Sequence, residues 1–140
     1  MNYGIIFEGD SSPLVTEAAD RLRELGYYAY WDDEMNSELI DSLNSFRRAY
    51  SLCEQSFCDP VTLRALGIEV QGDDIITLAR CAYSAAKTEL ECYDICFEAV
   101  AESQKLGITL TEAALRRGKG STEQIPPYAV SAAILALLNK

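Results

Sequence analysis

The sequence predicts an all-α protein made of two small helical parts, and three observations carry that prediction. Apolar residues recur at helical spacing through nearly every segment. Capping residues and glycines bracket each of those segments. Period-2 alternation, the mark of a half-buried strand, has no useful length outside residues 4–8. Six or seven helices are expected in all.

The elements follow in order. Gly9-Asp10-Ser11-Ser12-Pro13 is a turn and helix start, with Ser12 as the expected N-cap and Pro13 in the first helical position. Val15, Ala18, Ala19, Leu22 and Leu25 then share one face, and Gly26 ends the helix. A loop covers residues 27–36. Ser37 is the expected cap of a second helix, with Leu39, Leu43, Phe46 and Ala49 or Tyr50 inward. Asp59-Pro60 opens a short third helix carrying Leu63 and Leu66 and closed by Gly67. Three short helices over about 60 residues sit near the lower size limit for independent folding.

The remaining residues, 69–140, form the second part. Asp73 or Asp74 caps a helix with Ile75, Leu78, Ala79 and Ala82 inward. The next is expected from about Glu91 to Leu106, with Ile95, Ala99 and Val100 apolar and Gly107 as its stop. Thr109-Leu110-Thr111-Glu112 is a capping box ahead of Ala113, Ala114 and Leu115, and Gly118 stops that helix. The last helix puts Val130, Ala133, Ile134, Leu137 and Leu138 on one face. It is apolar enough to pack against both parts, which leaves a single shared core open.

Composition narrows function. The net charge of −10 argues against direct nucleic-acid binding, where Lys and Arg must neutralise phosphates. It argues equally against docking on an anionic membrane, and favours a basic protein partner or a neutral ligand. The N-terminal residues show no signal peptide, and the longest apolar run, residues 129–138, is too short to span a bilayer. A cytoplasmic location is therefore expected. Five cysteines, an odd number, then read as reduced and mostly buried thiols.

The spacing of residues 9–66 resembles the three-helix peptidoglycan-binding domain of bacterial cell-wall hydrolases. The matching positions are Gly9-Asp10, Val15, Leu22, Leu25-Gly26-Tyr27, Asp32, Asn36, Leu43, Phe46, Leu52 and Asp59-Pro60-x-Thr62-Leu63-x-x-Leu66. From Val15 to Leu66 the register holds without a gap. Asn36 would take the left-handed conformation that a family glycine supplies. Departures are the family's Leu-Gln pair, here Ala18-Ala19, its Phe-Gln pair, here Phe46-Arg47, and its glycine-rich loop, here the acidic Asp32-Asp33-Glu34-Met35-Asn36. Such domains are usually exported. The second part, up to about residue 105, resembles more faintly the catalytic domain of spore cortex-lytic hydrolases, through Asp74-Ile75-x-x-Leu78-Ala79-Arg80, the stretch from Ser84 to Glu89 and Ile95-x-x-Glu98-Ala99-Val100-x-Glu102-Ser103. The family's catalytic glutamate falls on Ala85, which offers no carboxyl for acid catalysis.

The residues themselves lend catalysis little support. The chain has no histidine, and so lacks the commonest general base. Glu89 and Glu91 could imitate a carboxylate pair, but among 22 acidic residues such neighbours arise by chance. Cys53-x4-Cys58 and Cys92-x3-Cys96 depart from the usual zinc spacing, so neither metal nor cofactor is expected. The run from Arg116 to Ser121 lacks the order and the preceding strand of a phosphate loop. It reads as basic residues at a helix C-terminus, open to an acidic surface on a partner or a second copy. The expected ligand residues are Tyr28, Tyr30, Trp31, Asp32 and Asp33, in which aromatic faces would stack on sugar and carboxylates would accept hydroxyl hydrogen bonds. The expectation is a non-catalytic binding or adaptor protein for cell-wall glycan. The alternative is an acidic interaction module for a basic protein, and a weak hydrolase using Glu89 is a third reading.

Overall fold

The computed structural model describes residues 3–121 and 123–139. The fold is all-α. Among the described residues there are seven helices: α1 (Pro13–Glu24), α2 (Ser37–Ala49), α3 (Pro60–Ala65), α4 (Asp73–Ala85), α5 (Glu89–Leu106), α6 (Leu110–Leu115) and α7 (Pro127–Leu138). They divide into two compact units, residues 1–72 and 73–140. None of the described helices is long and apolar enough to cross a membrane.

In the first unit, local chemistry sets each helix start. The Ser12 hydroxyl accepts from the Leu14 N–H at 3.2 Å, with Pro13 behind it in the first turn. For α2 the cap is Asn36, not Ser37. The Asn36 carboxamide oxygen accepts from the Leu39 N–H at 2.8 Å, and Ser37 becomes the first helical residue. Asn36 is therefore extended, with φ −120° and ψ 171°, rather than left-handed, because a capping side chain must reach forward over the first turn. Asp59 caps α3 through the Thr62 N–H at 2.7 Å.

The core of this unit is Val15, Ala18, Ala19 and Leu22 from α1, Leu39, Ile40, Leu43 and Phe46 from α2, and Leu63 and Leu66 from and just beyond α3. Leu25 is exposed, since it is the C-cap of α1 and the chain turns away at Gly26, φ +84°. Ala49 and Tyr50 are also exposed, although the Tyr50 ring stacks on Phe46 at 4.3 Å between centroids. The unit continues past Gly67, because Ile68 is buried in this core and Val70 packs against it. The alternating segment at 4–8 forms no strand pair of any length. Ile6 makes a single antiparallel bridge to Cys58, N–H to O distances 3.0 and 2.8 Å, and the ladder ends where Asp59 starts α3.

Arg47 lies at the centre of this unit with no exposed surface. Its Nε donates to Thr62 Oγ1 at 2.9 Å, one terminal nitrogen to Asn44 Oδ1 at 2.8 Å, and the other to the Phe57 carbonyl at 2.6 Å. The Asp59 carboxylate is 3.8 Å away. The guanidinium thus ties α2 to the chain that leads into α3.

In the second unit α4 and α5 pack on each other, and α6 and α7 pack against both. Helix α5 begins two residues earlier than expected. The Thr88 hydroxyl accepts from the Glu91 N–H at 3.1 Å and the Glu91 carboxylate accepts from the Lys87 N–H at 3.2 Å, so Glu91 lies inside the first turn. The buried face of α5 is Cys92, Cys96, Ala99 and Val100, with Ile95 only half-buried. The inward face of α7 also differs from expectation. Ala129, Val130, Ala132, Ala133 and Ala136 are buried, whereas Leu138 is 65% exposed. Small side chains let α7 approach its neighbours closely, and that requirement outweighs the larger apolar residues on its flank.

Candidate functional site

The candidate loop begins where α1 stops. After Gly26 the Tyr27 and Tyr28 N–H groups both donate to the Leu22 carbonyl, at 2.8 and 3.3 Å, folding the chain back over the helix end. Tyr27 sits edge-on to Phe46, centroids 5.8 Å apart, and is half-buried. Tyr28 is buried as well, so its role is structural at least in part. Its hydroxyl donates to the Asp32 carboxylate, which closes the loop internally. Burial, and then this hydrogen bond, raise the Tyr28 phenol above its ordinary value.

The other three expected residues diverge. Tyr30 and Trp31 are each 62% exposed. The Tyr30 ring meets the edge of Tyr28 at 5.8 Å, and its carbonyl accepts from the Arg23 guanidinium at 3.0 Å. Trp31 and the exposed Asp33 line a shallow groove of about 470 Å³ with Ser11, Ser12, Pro13 and Thr16. Two backbone contacts build this groove: Gly9 N–H to Met35 O at 2.7 Å and Met35 N–H to Asp10 O at 2.8 Å. Met35, fully buried, anchors the far end of the loop.

The structure thus brings Trp31 and Asp33 together and sets Tyr28 and Asp32 to hold the loop, with Tyr30 exposed outside the groove lining. Ser11, Ser12, Pro13 and Thr16 carried no ligand signal in the sequence, where they read as a helix start. Their place in the groove follows from the bridge between Ser11 and Glu34, a pairing across the α1 segment that spacing alone does not reveal.

Elsewhere, the buried cysteines and the arginines of the basic run are engaged within the fold. Cys58 is buried in the first unit, and burial pushes its thiol up to about 12. Cys92 and Cys96 lie one turn apart on the buried face of α5 and hydrogen-bond to each other, a contact that with burial raises the Cys96 thiol. Among the described residues no three of Cys, Asp and Glu converge on a point suited to a metal ion. Ala85 is the last residue of α4 and is half-buried. The two arginines of the basic run are engaged: Arg117 pairs with Glu98 and Glu102, and Arg116 reaches Glu102 at 3.4 Å. Arg117, foremost, holds the Glu102 carboxyl below its ordinary value.

Compared with known proteins, the chain matches no family model, no curated protein and no solved structure.

Proposed function

We propose that the chain is a non-catalytic binding protein whose first unit takes a neutral polar ligand, a cell-wall glycan, along the Trp31 groove. The observation that carries this reading is the indole of Trp31, held mostly in solvent beside Ser11, Thr16 and the Asp33 carboxylate. An exposed aromatic face stacks on the C–H surface of a sugar ring, while hydroxyl and carboxylate groups accept its hydroxyl hydrogens. A loop closed internally by Tyr28 and Asp32 keeps that surface formed before the ligand arrives, which lowers the ordering cost of binding. The resemblance of residues 9–66 to peptidoglycan-binding domains supports the same ligand class, and Ala85 in place of the related hydrolases' glutamate supports binding without hydrolysis.

Co-sedimentation with purified peptidoglycan tests the proposal. Retention of the native chain, reduced about tenfold by Trp31→Ala, is the expected result. No retention, or retention indifferent to Trp31→Ala, sinks it and leaves the acidic surface and a basic protein partner as the better reading. Release of soluble muropeptides that Glu89→Gln abolishes would overturn the non-catalytic part.

A further inference from the structure

The fold splits the basic run at Arg116 to Lys119. Both arginines are engaged by α5 carboxylates, whereas Lys119 turns elsewhere. Gly118 directs that turn. A Cβ there would fall 2.3 Å from the Cys81 carbonyl and 2.7 Å from Ser84 Oγ, so only glycine lets the chain close on the end of α4. The close approach brings Lys119, Gly120 and Ser121 beside Tyr83, Ser84, Ala86 and Lys87, with Glu123 and Tyr128 completing a cavity of about 680 Å³. This volume is within the range of small-molecule sites.

Its lining is unusual for so acidic a chain. Neither the Lys87 nor the Lys119 ammonium has an ion-pair partner among the described residues. Tyr83 and Tyr128 meet at 6.2 Å between centroids, with ring planes at 69°. The Ser84 hydroxyl donates to the Cys81 carbonyl at 2.9 Å, which leaves its oxygen as an acceptor. The Ser121 oxygen accepts from the Glu123 N–H at 3.0 Å, which leaves its hydrogen free to donate.

We propose that this cavity binds a phosphate monoester carried on a sugar-sized group. Two unpaired ammonium groups match a dianion, and a phosphate monoester carries a charge of about −1.5 to −2 at neutral pH. Lysine serves phosphate as a point charge, without the planar fork that arginine needs for paired contacts. The tyrosine pair gives a ring a surface to lie against, and Glu123 and Ser84 accept hydroxyl hydrogens. The same Glu123 carboxylate, and the net charge of −10, oppose a long polyanion and so select a small ligand. This site is independent of the Trp31 groove and stands or falls separately.

The test is a titration of the ¹⁵N-labelled full chain, with backbone amide shifts followed by NMR. Glucose 6-phosphate is the probe, and glucose and inorganic phosphate are the comparison arms. Expected are saturable shifts at Lys87 and at 119–121, with glucose and inorganic phosphate each binding at least about tenfold more weakly. Lys87→Gln with Lys119→Gln should weaken glucose 6-phosphate about tenfold or more while amides elsewhere keep their positions, and Arg116→Gln should not weaken it. No saturable shift, or shifts unaffected by the double variant, overturns the site. Equal binding of glucose removes the phosphate, and equal binding of inorganic phosphate removes the sugar-sized group.

Discussion

Arg47 is the residue on which the first unit depends most. A buried guanidinium is tolerable only because Thr62, Asn44, the Phe57 carbonyl and Asp59 satisfy it together. Arg47→Ala takes the guanidinium from the Thr62 hydroxyl and the Phe57 carbonyl and leaves the buried Asp59 carboxylate without its counter-charge, and is expected to destabilise the protein by about 3–5 kcal/mol in urea unfolding followed by circular dichroism. A loss below about 1 kcal/mol would mean water replaces the guanidinium. In the sequence Arg47 showed only as a departure from a family Phe-Gln pair, since apart from Asn44, one turn back on α2, the partners named here lie 10 to 15 residues away across a loop. Trp31→Ala should change stability by less than about 0.5 kcal/mol, as an exposed side chain has little packing to lose. The thiols differ in the same residue-by-residue way. Cys53, half-exposed, should react first with iodoacetamide at pH 8, and the other four, buried, only once the chain unfolds. Cys58 and Tyr28 both hold their protons more tightly in the fold. The stability each contributes is complete below its ordinary value and is lost as pH rises, for Cys58 from 9.0 towards about 12. Alkaline unfolding at fixed urea checks the direction: stability should fall, not rise, across that interval.

Among the elements, helix starts are governed by single side chains. Asn36→Ala should cost about 1 kcal/mol by leaving the Leu39 N–H without its cap, whereas Ser37→Ala should cost little. Equal losses from the two would return the cap to Ser37. Helix α7 is governed by size instead. Ala133 has no exposed surface against α4 and α5, so Ala133→Leu should cost about 1–3 kcal/mol through overpacking, while Leu138→Ala should be nearly neutral. Thermal unfolding of the two variants separates these outcomes. The sequence placed α7 and its helical type correctly, but ranked its residues by hydrophobicity alone. The close packing of neighbouring helices selected the alanines.

At the scale of the whole molecule, charge is the dominant fact. A net charge of −10 on 140 residues stresses the compact state through self-repulsion. Several cations are already committed to local pairs, including Arg48 with Glu54 at 2.6 Å and Arg116 and Arg117 with Glu102 and Glu98. Sodium chloride between about 0.02 and 0.5 M should therefore raise the melting temperature, since screening relieves long-range repulsion more than it weakens those exposed pairs. A fall in melting temperature would show that the pairs outweigh the repulsion.

The sequence by itself determined the all-α class, the approximate number of helices and most helix limits. All of these follow from local rules: apolar spacing, capping groups, proline at helix starts and glycine where the chain must turn at positive φ. Tertiary structure decided which side chains work together. It drew Tyr28 and Asp32 inward, set Trp31 and Asp33 against Ser11 and Thr16, and buried Arg47 among partners from three segments. It also left Lys87 and Lys119 without an ion-pair partner among the described residues at one cavity, while pairing the adjacent arginines with α5 carboxylates. These pairings depend on which segments pack together in three dimensions, and a reading of spacing along the chain carries no measure of that proximity.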